Sequence, residues 1–174
     1  MIMPRGQPLL LPVNPVFIAL SLMLALMVNL LPLGRDMWLP DVLLLVLVFW
    51  GVHEPQRIGM VWAFLLGLAM DVHQSSLLGQ HALVYSVVMF GVLTLRRRLT
   101  WLSVFGQAMH VLPLFMAADV LLLLMRLLLR GNFPGWGFIT PGLWCALLWP
   151  VVVVMLLAPQ RREDRHHGRH RDAG

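Results

Sequence analysis

Residues 38–85 read WLPDVLLLVLVFWGVHEPQRIGMVWAFLLGLAMDVHQSSLLGQHALVY, and this stretch contains two long apolar runs and the beginning of a third. The first run spans about 38–52, the second about 58–72, and the third about 77–95. The pair Pro40-Asp41 is a helix-start signal at the head of the first run, and a polar segment with a proline separates the first run from the second. Runs of this length with so few charges predict helices that span a membrane or lie buried within a membrane protein.

The second of these runs carries a stripe of small residues. Gly59, Ala63, Gly67 and Asp71 recur at four-residue intervals, which places them on one side of a helix. In membranes, small-xxx-small stripes let two helix backbones approach closely. We therefore predict a helix-packing face that meets either another helix of this chain or a helix of a partner. The alternative is that glycine and alanine recur here because both are common in membrane helices.

Three further apolar runs lie outside this stretch and bring the predicted number of membrane helices to about six. They span about 16–33, 101–129 and 138–158. The first has the position of a signal peptide, but no small-residue cleavage site follows it, so we interpret it as an uncleaved helix. The run 101–129 is longer than one untilted span and contains Pro113. It is therefore either one long kinked helix or a short interfacial helix followed by a span.

The composition is that of a membrane protein. Of the 174 residues, 59% are hydrophobic and only 12% are charged, and the mean hydropathy is +0.80. A globular domain typically has about 25% charged residues, because water must solvate its surface. The length permits one helical domain, 1–159, followed by a polar, arginine-rich tail, 160–174, which we expect to be disordered.

All 13 basic residues are arginines, and they flank the apolar runs or lie in the tail. This distribution argues against nucleic-acid binding and for contact with membrane lipids. Six spans put both termini on one side. With the termini inside, ten arginines are cytoplasmic and only Arg35, Arg126 and Arg130 are outside. The positive-inside rule therefore predicts a multi-pass protein with both termini in the cytoplasm.

Two acidic residues, Asp71 and Asp119, lie within apolar runs or at their edge. A charged side chain at the bilayer centre costs about 2.5–3.5 kcal/mol on insertion scales. Such a residue belongs to a proton pathway or accepts hydrogen bonds as a structural anchor, and we favour the anchor for both. His110 lies on roughly the opposite helix face from Asp119, and Arg126 lies two turns away. Any partner of Asp119 must therefore come from another helix.

Catalytic and cofactor-binding signatures are missing from the sequence. It contains no HExxH, GxSxG, CxxC or P-loop pattern. The tail histidines His166, His167 and His170 suit weak metal binding at most, and we interpret the tail as a segment that contacts anionic lipid. We therefore predict no catalytic residue, no metal site and no cofactor.

The central stretch holds an ordered set of motifs: Pro40-Asp41, Trp50, Pro55, Gly67-Leu68-x-x-Asp71 and Leu78-Gly79-x-x-Ala82-Leu83. The order of these motifs resembles that of the MreD family of rod-shape-determining proteins. Ala118-Asp119 and Leu148-Trp149-Pro150 are similar to later parts of the family pattern, as are the length and the six-span layout. The residues that we expect at a helix-packing or partner interface are Gly59, Ala63, Gly67, Asp71 and Gly79.

The resemblance implies a non-enzymatic component of the machinery that elongates rod-shaped bacterial cells, located in the inner membrane. It implies a bitopic MreC-like partner. It also implies direct or indirect association with the polymerase RodA, its penicillin-binding transpeptidase and the MreB filament, in support of peptidoglycan synthesis and cell shape. In fold, the family resembles the substrate-binding subunits of energy-coupling-factor transporters. That likeness makes a small-molecule-binding subunit of a vitamin-type transporter the alternative function, and an intramembrane enzyme comes third.

Overall fold

The computed structural model describes residues 14–31, 39–74, 78–131 and 135–158, and every regular element in these ranges is helical, as predicted. The predicted tail, Arg5 and Arg35 lie outside the described residues. The elements are α1 (Pro15–Leu30), α2 (Val42–His53), α3 (Met60–His73), α4 (Gln80–Leu99), α5 (Val104–Arg130), a short 3-10 helix (Trp136–Ile139) and α6 (Thr140–Leu157).

Helix α2 lies at the centre of the bundle. Each of its residues from Leu43 to Val52 is buried, and α1, α4 and α6 pack around it. A helix that is apolar on every side is expected to be buried in this way, because no side of it is suited to water. Its largest side chain, Trp50, donates from Nε1 to the hydroxyl of Ser21 in α1 at 2.8 Å, which satisfies the one polar atom of the ring.

The remaining helices pack outside α2. Helix α3 packs on α4, α5 packs on α6, and α5 also packs on α4. Helix α5 continues through Pro113, so the run 101–129 forms one long helix of 27 residues rather than two. Two segments, Val104–Leu129 and Trp136–Leu157, are long and apolar enough to cross a membrane, whereas α1, α2 and α3 are shorter apolar helices.

The bundle has two chemically different ends. We call one the cap end, because it holds the N-termini of α2, α4 and α6, where three carboxylates bind. We call the other the arginine end, because it holds Arg57 in the α2–α3 connection and Arg96, Arg97 and Arg98 in the last turn of α4. Basic side chains in a last helical turn also interact favourably with the negative end of the helix dipole.

The exterior of the bundle is largely apolar. Large hydrophobic side chains are exposed on several helices, including Leu24 of α1, Val61 of α3, Leu128 of α5 and Val154 of α6. Exposure of apolar patches of this extent to water is unfavourable for a monomer, whereas lipid tails solvate them. The helical architecture, the two long apolar segments and this exterior are together those of a membrane protein.

Candidate functional site

Helix α4 is capped by a side chain from α3. Its N-cap residue is Gly79, which has no side chain that could accept hydrogen bonds, and the side chain of Asp71 caps the helix instead. The Asp71 carboxylate accepts the backbone N–H groups of Gly79 at 2.9 Å, His81 at 2.8 Å and Ala82 at 3.2 Å. The first N–H groups of a helix have no partner within the helix, and the positive end of the helix dipole favours an anion. Asp71 therefore satisfies several of these donors while completely buried.

The same carboxylate binds a side chain of α4. The Nδ1 atom of His81 lies 2.8 Å from Oδ1 of Asp71, and both side chains are buried. Because a carboxylate oxygen accepts, Nδ1 carries the hydrogen in this contact. The His81 ring in turn meets the ring of Tyr85 edge-on, with centroids 6.2 Å apart. Asp71 therefore joins α3 to the start of α4, which is the arrangement expected of a structural anchor.

Gly79 enables this cap through its backbone. Its φ angle is +103°, in the left-handed region that side-chain-bearing residues rarely adopt. A Cβ atom at this position would meet nothing within 4 Å, so space is not the reason for glycine here. The reason is the turn itself, which directs the chain from the α3–α4 connection into the first turn of α4.

The stripe of small residues divides into two parts. A Cβ atom on Gly67 would lie 2.5 Å from Cα of Ala82 and 2.7 Å from its backbone nitrogen, and the stripe residue Ala63 is completely buried. Gly59 instead lies at the N-cap of α3, where a Cβ atom would approach only the backbone oxygen of Pro55, at 3.8 Å. Close backbone approach between α3 and α4 therefore occurs at Gly67 and not at Gly59.

Asp41 joins four helices. One carboxylate oxygen accepts the hydroxyl of Tyr85 in α4 at 2.5 Å, and the other accepts the amide of Asn29 in α1 at 2.7 Å and the N–H of Leu44 in α2 at 2.9 Å. Its backbone oxygen accepts the thiol of Cys145 in α6 at 3.6 Å. The sequence identified Asp41 only as a helix start. One available signal was Tyr85, the lone tyrosine of the chain, because a phenol within an apolar run needs a partner.

Asp119 caps α6. Its Oδ2 atom accepts the backbone N–H of Gly142, in the first turn of α6, at 2.8 Å. A Cβ atom at Gly142 would collide with this oxygen and with Met116, so glycine leaves room for the carboxylate. The partner of Asp119 is on another helix, in agreement with the sequence argument that α5 itself offers none.

The three acids share one structural role. Asp41, Asp71 and Asp119 bind the N-termini of α2, α4 and α6, all at the cap end. Hydrogen bonds between a carboxylate and helix N–H groups are charge-assisted and stronger than neutral ones. Among the residues that the structure describes, no group of three or more His, Cys, Asp or Glu side chains could hold a metal ion. These hydrogen bonds fix the positions of the helices relative to one another.

The sequence of the chain matches known proteins. The family model described as rod shape-determining protein MreD matches residues 10–158. The chain is 33% identical over 135 residues to the rod shape-determining protein MreD of Haemophilus influenzae, a match that covers 78% of this chain and 83% of that protein. No solved structure matches. The resemblance found in the central motifs is thereby confirmed, and the chain belongs to the MreD family of rod-shape-determining membrane proteins, which are structural components and not enzymes.

Proposed function

We propose that this protein is a six-span inner-membrane scaffold of the bacterial cell-elongation machinery. The observation that carries the proposal is the use of the three cap-end acids. Asp41, Asp71 and Asp119 each bind a helix N-terminus, so each of them helps to hold a helix in place. Carboxylates within membrane segments often mark ion or proton pathways, and the hydrogen bonds here favour the structural alternative.

The orientation that we propose places the arginine end in the cytoplasm. Arg57 and the exposed Arg97 and Arg98 lie at that end, and the positive-inside rule assigns such clusters to the cytoplasmic side. Both termini are then cytoplasmic and the cap end faces the periplasm. We propose that residues 1–159 form a single domain with a likeness in fold to the substrate-binding subunits of energy-coupling-factor transporters.

The partner that we propose is an MreC-like bitopic protein. Through it, the protein associates directly or indirectly with RodA, its penicillin-binding transpeptidase and MreB, and supports peptidoglycan synthesis. The family role in rod-shape determination supports this assignment. The apolar exterior supports it as well, because a single-span helix packs on such a surface by van der Waals contact. Candidate faces include those around Leu24 of α1 and Leu147 of α6, which are both exposed.

Capture from native membranes tests the partner. A photo-crosslinking residue is placed in separate variants at Leu24, Leu65 and Leu147, one on each of three exposed helix faces. After illumination, mass spectrometry should identify a bitopic protein of the elongation machinery crosslinked from at least one face and not from all three. A bound vitamin together with an associated ATPase module would instead favour the transporter alternative and contradict the scaffold proposal.

Reporter fusions test the orientation. An enzyme that is active only in the periplasm is fused after Arg98 in one variant and after Gly174 in another. Both fusions should be inactive, and a fusion within the cap-end connection after Gln74 should be active. Activity after Arg98 or after Gly174 would reject the six-span arrangement with cytoplasmic termini.

A further inference from the structure

One side of α5 forms a continuous exposed seam. His110, Pro113, Ala117, Val120 and Leu124 are spaced by alternating three and four residues, which places them along one side of the helix, and all five are exposed. Helices α4 and α6 pack against α5 and leave this side uncovered. We call these five residues the α5 seam. The spacing is that of the contact positions through which two helices pack side by side.

The first residue of the α5 seam carries an imidazole. The Nδ1 atom of His110 lies 2.9 Å from the carbonyl oxygen of Gly106, one turn earlier in α5. Because a carbonyl oxygen only accepts, Nδ1 carries the hydrogen in this contact, and in the neutral ring Nε2 is then an acceptor. Within the part of the chain that the structure describes, no donor forms a hydrogen bond with this nitrogen.

A backbone carbonyl beside His110 lacks its usual donor as well. Pro113 lies inside α5 and has no N–H, so the carbonyl oxygen of Met109, four residues earlier, loses the donor that it would have in an uninterrupted helix. Both Met109, which is 71% exposed, and Pro113 lie at the surface. Two hydrogen-bond acceptors therefore occur on neighbouring residues at one end of the α5 seam.

Lipid tails do not satisfy these acceptors. The segment Val104–Leu129 is long and apolar enough to cross a membrane, and His110 lies about 9 Å inside it at 1.5 Å per residue. Hydrocarbon offers no hydrogen-bond donor, and an unpaired polar group within it is unfavourable. In membrane helices, a carbonyl that proline has freed is usually satisfied by a neighbouring helix, a hydroxyl side chain or an ordered water.

The chemistry of the α5 seam favours a helix of another protein over a second copy or the tail. A second copy that packed seam to seam would bring acceptor against acceptor, because no other seam residue has a side-chain donor. The tail, 160–174, has arginine donors, but it is too polar to cover Val120 and Leu124 in lipid. An apolar membrane helix that carries a hydroxyl, amide or indole donor suits both the polar end and the apolar remainder of the seam.

We propose that the α5 seam binds a membrane-spanning helix of another protein, and that this helix has a side-chain donor that binds Nε2 of His110. The rest of the helix packs on the apolar part of the seam, where the small side chain of Ala117 allows close approach. The seam lies on a different helix from the three faces probed above. The proposal therefore goes beyond the partner and the orientation proposed there and depends on neither.

Photo-crosslinking in native membranes tests the proposal. A photo-reactive residue replaces Val120, and its products are compared at equal membrane level when residue 110 is His, Gln or Leu. With His110, the main product should be an adduct to a membrane-spanning segment of another protein. Mass spectrometry should locate a donor side chain of that segment about ten residues, or roughly 15 Å, from the crosslinked residue, because Val120 lies ten residues from His110.

The substitutions at residue 110 test the hydrogen bond itself. His110→Leu should lower the yield of the adduct about three- to tenfold, the effect expected from one hydrogen bond between membrane helices. His110→Gln keeps an acceptor oxygen and should retain most of the yield. Replacement of the partner's donor by alanine should lower the yield as much as His110→Leu does, and the two changes together should lower it no further.

A photo-reactive residue at Val61 of α3, a side chain that is 72% exposed, is the control, and its products should not respond to residue 110. Leu124 provides a second position in the seam should substitution of Val120 prevent folding. An adduct only to lipid, to a second copy or to residues 160–174, or no protein adduct at all, would overturn the proposal. An adduct whose yield is equal with His and Leu at residue 110, or falls equally with Gln and Leu, would refute the acceptor role of His110 and with it the proposal.

Discussion

Gly67 of α3 and Ala82 of α4 bring the two helices into backbone contact. A Cβ atom on Gly67 would lie 2.5 Å from Cα of Ala82, which is closer than real Cβ atoms come to a neighbour. Asp71 lies one turn further along α3 and accepts the N–H of the same Ala82. The glycine thus sets the distance between the helices at which the carboxylate reaches the first turn of α4.

Gly67→Ala should destabilise the protein, because the new methyl group meets backbone atoms that cannot rotate away. Overpacking in well-packed interiors costs roughly 1–3 kcal/mol, and Gly67→Ile should cost more. The measurements are the steady-state level in membranes and the unfolding temperature in detergent. Since the facing residue belongs to this chain, we expect loss of accumulation rather than loss of a partner from an otherwise normal protein.

Two neighbouring substitutions are the controls for Gly67. Gly59→Ala should be mild, because a Cβ atom there would be in ordinary contact, 3.8 Å from the oxygen of Pro55. Leu66→Ile should also be mild, since it conserves volume beside the contact. If Gly67→Ile matched Leu66→Ile in both accumulation and unfolding temperature, the close approach of α3 and α4 would be irrelevant to stability.

Asp71→Asn should remove most of the cap on α4. The amide keeps one acceptor oxygen, but its NH₂ group replaces an oxygen that accepts backbone N–H groups. Leaving buried donors unsatisfied costs about 1–3 kcal/mol, so the unfolding temperature should fall clearly. Glu54→Gln, at a half-exposed acid in the α2–α3 connection, is the matched control and should change little. Equal effects of the two substitutions would refute the capping role.

Tyr85→Phe should loosen the connection between α4 and α2. It deletes only the hydroxyl that binds Asp41 at 2.5 Å and leaves the ring in place. A hydrogen bond to a charged group contributes about 1.5–3 kcal/mol, and the loss should appear as a lower unfolding temperature in detergent. Thr94→Val removes an exposed hydroxyl that bonds only within α4 and should stay near the native value. A native unfolding temperature for Tyr85→Phe would contradict the role assigned to Asp41.

Asp119→Asn should retain most of the protein's function, whereas Asp119→Leu should not. The carboxylate accepts one backbone N–H, that of Gly142, and an amide oxygen can accept the same hydrogen bond. Complementation of rod shape in a strain that lacks the native protein is the measurement, with membrane level as the reference. If Asn were as damaging as Leu at equal membrane level, the charge of Asp119 would matter in its own right.

Much of the helical architecture could be predicted from the sequence. The apolar runs correspond to helices, and Pro40-Asp41 marks the start of α2 within one residue. This works because helix hydrogen bonds are local, and because a continuous apolar run can satisfy its backbone in lipid only as a helix. The family resemblance was likewise available from the order of motifs alone, and the family match confirms it. The number of spans and the orientation remain predictions from run lengths and arginine positions.

The partners of the polar residues were decided only by the tertiary structure. Asp41 meets Tyr85 across 44 positions in sequence, and Asp119 meets Gly142 across 23. A periodic pattern shows which residues share a helix face but not which helix that face meets, because packing is set by the fit of all surrounding side chains. For the same reason the sequence shows the stripe of small residues but not which of its residues contacts another helix. Gly67 and Gly59 have the same spacing and chemistry, and only the position of α4 makes Gly67 the point of contact.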